Sequence, residues 1–88
     1  NLLRMEYINN VHIYNRQDVE TFANHLVYDC KISYQPDDDF VDYFNSKEQV
    51  DLYNRLNNEC FALCEKEGLD LYDIHHQVQY NYILKNSD

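Results

Sequence analysis

One glycine, one proline and no tryptophan occur in the 88 residues. A phosphate-cradling loop needs closely spaced glycines so that backbone amides can converge on the anion, and Gly68 alone cannot supply one. Few breakers also mean few sharp turns. Positive charge is scarce as well: 7 Lys and Arg stand against 16 Asp and Glu, for a net charge of −9. Such a chain repels a phosphate backbone and an anionic membrane surface, which argues against direct nucleic-acid or membrane binding. No apolar run approaches the ~20 residues that span a bilayer, and no signal peptide is recognisable.

What is present suffices for one globular domain over residues 1–88. The hydrophobic fraction of 44% is too high for a disordered chain. A domain of this size buries only roughly 60–65% of the surface of its unfolded chain, so its core is thin. Nine Tyr and four Phe supply bulk for it; a tyrosine ring completes a small core while its hydroxyl reaches water. Cys30, Cys60 and Cys64 are an odd set without a disulfide framework, which points to a reduced, cytoplasmic protein with buried thiols. Met5 is a candidate native start, with Asn1 to Arg4 upstream of it.

Along the chain, residues 5–14 alternate loosely, as a strand or an extended arm would. Asn15 is a good N-cap with Asp18 three residues on, and Val19, Phe22, Ala23, Leu26, Val27 and Cys30 recur at helical spacing. This predicts a helix at about 16–29. Pro36 holds Gln35 extended. Asp37 or Asp38 then caps a short helical turn that sets Phe40, Tyr43 and Phe44 at i, i+3 and i+4. Ser46 and Gln49 fit a capping box; Val50, Tyr53, Leu56, Cys60, Leu63 and Cys64 follow one face, and Gly68 stops the second helix. Asp70 caps a third, with Leu71, Ile74 and Val78 inward. Residues 78–84 alternate like a strand that could pair with 5–14, or else continue the helix. The expected fold is a mainly α domain of three helices, with α+β as the alternative if the terminal segments form a small β pairing.

The stretch PDDDFVDYFN, residues 36–45, comes closest to a motif. Counted from Asp37, an EF-hand loop would use Asp37, Asp39, Val41, Tyr43, Asn45 and Glu48. Val41 offers no side-chain oxygen, and Asp42 stands where the sharp turn needs glycine. Cys60 and Cys64 lie one helical turn apart, with His25, His75 and His76 on neighbouring elements, but a small thiol on an apolar stripe is an ordinary core residue. Adjacent histidines on a helix diverge by about 100° and do not readily share one ion. No local signature marks a Cys–His nucleophile pair, and exposed carboxylates lack the desolvation that tunes a general acid. The reading is therefore non-enzymatic, without a cofactor, catalytic residue or metal ligand.

Together, YQPDDDFVDYFN and NECFALCEKEGLDLYDI resemble a group of small, acidic, uncharacterised bacterial proteins of the kind found in mobile elements of gut bacteria. The resemblance covers about residues 20–76 and implies no activity, cofactor or site. A mobile-element setting suits an inhibitor or accessory protein, including one that imitates nucleic-acid charge; that step is analogy. The expected function is binding of a basic protein partner through Asp37, Asp38, Asp39, Asp42 and Tyr43. The alternatives are a calcium- or zinc-binding domain and a structural domain that self-associates, with a homodimer as its simplest form.

Overall fold

Asn15 opens the first helix: its extended backbone turns the side-chain oxygen onto the Asp18 amide at 2.9 Å. Asp18 reaches back to the Tyr14 amide at 2.8 Å, so two amides at the helix start are met reciprocally. These contacts come from a computed structural model, which describes residues 11–86. Helix α1 spans Arg16–Asn24 and runs on without a break into one π-helical turn, His25–Asp29. A 3-10 turn, Phe40–Asp42, interrupts the connection to α2, Lys47–Glu67. Helix α3, Leu71–Lys85, follows after a tight corner. No helix among the described residues is long and apolar enough to cross a membrane.

The helical termini follow the capping chemistry of the sequence. Ser46 accepts from the Gln49 amide and Asp70 from the Tyr72 amide. Gly68 takes φ 71°, and the amides of Leu69 and Gly68 return to the carbonyls of Cys64 and Glu65, a Schellman closure.

The π turn has a packing reason. His25, Leu26 and Val27 are all buried, whereas three successive residues of an α-helix sweep about 200° around the axis. A wider turn lets all three face the core. The exit is widened in the same way: the Ile32 amide returns to the Leu26 carbonyl at 3.2 Å, one residue farther back than at Gly68. Lys31 makes this exit with φ 57°, a left-handed conformation that costs a side-chain-bearing residue about 1–2 kcal/mol.

Val19, Phe22, Leu26, Leu56, Cys60, Leu63, Ile74 and Val78 form the seam among the three helices. The connecting segment fills what remains. Tyr34 and Pro36 point inward and Ser33 and Gln35 outward, an alternation like a strand's, but the segment pairs with no strand. Phe40 follows, fully buried.

The three-helix expectation holds, and the alternative of a β pairing between the ends is not present among the described residues. Residues 78–84 lie inside α3. Their alternation arises because the last turns of α3 leave Tyr80, Ile83 and Leu84 exposed. Of the residues read as a strand, 5–10 lie outside the described residues. Residues 11–14 are an extended arm whose polar groups are met by side chains of α2: Glu59 accepts from the Ile13 amide at 2.9 Å, and Arg55 donates to the Val11 carbonyl at 3.4 Å.

Lys31→Gly is expected to raise stability by about 1 kcal/mol in a denaturant melt, the relief of left-handed strain less the added chain entropy of glycine. A fall instead would mean that the Lys31 ammonium, 3.3 Å from the Tyr28 carbonyl, contributes more than the strain costs. Phe40→Ala is expected to cost about 3–5 kcal/mol, the usual loss for a fully buried ring; a cost under about 1 kcal/mol would place the ring outside the core.

Candidate functional site

The acidic stretch is held rigidly from below. Pro36 is fully buried, and its carbonyl accepts from the buried Asn57 amide at 2.7 Å. Asp38 accepts from the Gln35 amide at 2.9 Å and from the Tyr43 hydroxyl at 2.7 Å. Asp39 accepts from the Val41 amide at 2.9 Å and from the Asn54 side-chain amide at 3.1 Å; the Asn54 oxygen in turn accepts from the Phe40 amide at 3.1 Å. The cap of the short turn is thus Asp39, not Asp37 or Asp38. The sequence could not choose among three adjacent aspartates; the partner that decides is Asn54, one side chain on α2.

These bonds stabilise the charged carboxylates. Donation from the Gln35 amide and then the Tyr43 hydroxyl lowers the Asp38 pKa. The Val41 amide and then Asn54 do the same for Asp39. Tyr43 is pushed up to about 12, chiefly by its bond to Asp38. The stretch therefore divides by role rather than by exposure. Asp38, Asp39 and Tyr43 make the bonds that build the loop, and the side chains of Asp37 and Asp42 make none of them. Asp37, Asp39 and Asp42 are exposed, as is Val41 at 59%, and Asp38 is half-buried.

The metal alternatives find no convergent donors. No group of three or more His, Cys, Asp or Glu close enough to share an ion occurs among the described residues. Cys60 and Cys64 are buried in the seam; burial pushes Cys60 up to about 12 and raises Cys64 as well. His76 is exposed, while His75, the residue before it, is buried.

No family model, curated protein or solved structure matches the chain. The geometry carries the functional reading.

Two arrangements were not legible in the sequence. One gathers His25, Asp29, Cys30 and Tyr53. His25 Nε2 lies 2.8 Å from the Tyr53 hydroxyl and 3.5 Å from Cys30 Sγ, and His25 Nδ1 lies 3.1 Å from Asp29. Residues five apart on an α-helix point about 140° apart, so only the π turn brings His25 to Cys30. Cys30 is also half-buried rather than sealed in the core like the other two thiols.

The other is His75, 3% exposed, with neither ring nitrogen hydrogen-bonded and its edge against Tyr34 at a centroid distance of 4.3 Å. Burial is the main cause of its lowered pKa; the charge of His76 adds to it, and the Tyr34 backbone and Asp38 oppose it. The native fold therefore prefers the neutral ring. The unfolded chain binds the proton at about pH 6.5, so stability falls as pH drops below that value. His75→Phe removes this titration and leaves every other group in place. Its stability relative to the parent is expected to improve steadily in melts from pH 7 to pH 5, by at most about 1.4 kcal/mol per pH unit for one proton. A difference that stays constant with pH would mean His75 is not held neutral.

Proposed function

We propose that the chain is a non-enzymatic interaction protein that docks a basic protein partner on the loop carrying Asp37, Val41 and Asp42. The observation that carries this reading is the division of the loop. Side chains of α2 and the loop's own Asp38, Asp39 and Tyr43 fix the backbone, while the exposed side chains of Asp37, Val41 and Asp42 take no part in those bonds. A surface already rigid when free loses little conformational entropy on binding. A net charge of −9 draws a cationic partner toward it and speeds encounter at low salt. A partner whose usual ligand is nucleic acid is the sharper form of the proposal, and an accessory or inhibitory role in a mobile element is the setting the sequence resemblance suggests.

The test is an NMR titration of the labelled chain with a lysine-rich peptide, in low salt and in 0.5 M NaCl, where the screening length falls to about 4 Å. Shifts are expected to concentrate on residues 37–42, to fade in high salt, and to weaken at least threefold in affinity in the double variant Asp37→Asn, Asp42→Asn. That variant is expected to keep its fold, because Asp38 and Asp39 still hold the loop. Shifts spread evenly over all acidic positions, or an affinity unchanged by the double variant, would show the loop to be a solvated surface.

A further inference from the structure

The cluster at the end of α1 is independent of the acidic loop. We propose that Cys30 is a nucleophilic thiol, activated by His25, that captures small aliphatic disulfides of the glutathione type as a mixed disulfide. Three features of the geometry carry this. Cys30 is the half-buried thiol of the three, while Cys60 and Cys64 are 1% and 3% exposed. Its sulfur lies within hydrogen-bond reach of two groups at ordinary sulfur distances, His25 Nε2 at 3.5 Å and the Tyr53 hydroxyl at 3.6 Å. His25 is itself 5% exposed and fixed at its other nitrogen by Asp29 at 3.1 Å, which orients the ring and favours its cationic form.

Burial alone would lower the proton affinity of His25. The hydrogen bond and charge of Cys30, followed by those of Asp29, outweigh it and raise the pKa. The thiol proton therefore has an acceptor in contact. One effect opposes this: Cys30 caps the carboxyl end of the helix, where the backbone dipole disfavours a thiolate. A full imidazolium charge in contact outweighs about half a charge spread over the last turn. The π turn is what permits the contact, and such turns are frequent at functional sites.

The step is an exchange. The Cys30 proton passes to His25, the thiolate attacks one sulfur of R–S–S–R, the new bond Cys30–S–S–R forms, and R–S⁻ departs and takes the proton from His25 or from water. No external oxidant or reductant is needed. The adduct would stand beside Tyr53, where α1, α2 and the connecting segment meet.

The test follows alkylation of the whole chain by iodoacetamide, an uncharged reagent, as a function of pH, with peptide mapping to assign the labelled cysteine. Cys30 is expected to react first, with a midpoint at least one pH unit below the roughly 8.5 of an ordinary thiol. His25→Gln is expected to return the midpoint to that value or above. If His25→Gln does not fold by circular dichroism, Tyr53→Phe keeps the ring, removes one hydroxyl contact to the sulfur and is expected to raise the midpoint as well. Oxidised glutathione at pH 7 is expected to add a single glutathionyl group at Cys30 in the folded protein. A parent midpoint at 8.5 or higher, a midpoint unmoved in a folded His25→Gln, or first labelling at Cys60 or Cys64 would overturn the proposal.

Discussion

The ring of Tyr53 lies against Phe22 of α1, His25 of the π turn, and Phe40 and Phe44 of the connecting segment, with centroid separations of 4.4–6.0 Å. One side chain on α2 thereby fixes the distance between two helices and the path of the segment joining them. Its hydroxyl adds a polar constraint: the buried His25 needs a partner, and Tyr53 provides it at 2.8 Å. Losing the ring would open a large void, and losing only the hydroxyl would take from the imidazole nitrogen its shorter contact and leave the one to Cys30 Sγ at 3.5 Å. The acidic loop depends on this hub too, because Phe40, the residue after the Asp39 cap, packs directly on it. A chain without tryptophan achieves this with a residue that is apolar along its body and polar at its tip.

The parts of the fold readable in the sequence are those governed by local chemistry. Asn15, Ser46 and Asp70 cap because a short polar side chain before a periodic stretch has its amides within reach. Gly68 stops α2 because a left-handed residue is cheapest without a Cβ. The illegible parts depend on partners distant in sequence. Asp39 was selected by Asn54, fifteen positions away. The arm at 11–14 is held by Arg55 and Glu59 rather than by a strand. The approach of His25 to Cys30 was hidden for another reason: helical periodicity assumes about 3.6 residues per turn, and this turn has more. The strand-like alternation of 78–84 misled because periodicity records which residues are apolar, not which are covered.

The acidic residues do not all serve one purpose. Asp18, Asp38, Asp39 and Asp70 meet backbone amides, and Glu59 meets Arg55 and the arm. Those charges are structural, each compensated by donors nearby. Others, Asp37 and Asp42 on the loop and Glu65, Glu67 and Asp73 elsewhere, are exposed. Composition alone cannot separate the two groups, since a capping aspartate and one left to solvent count equally toward the total.

The π turn amounts to an α-helix carrying one residue too many. In an ordinary α-helical register His25 and Cys30, five positions apart, would point about 140° away from each other, though no side chain of the pair had changed. The cluster is thus encoded in how the chain winds as much as in residue identity. Two chains that share both His and Cys at this interval but wind differently there would differ in chemistry. Aligning residue types alone would miss it.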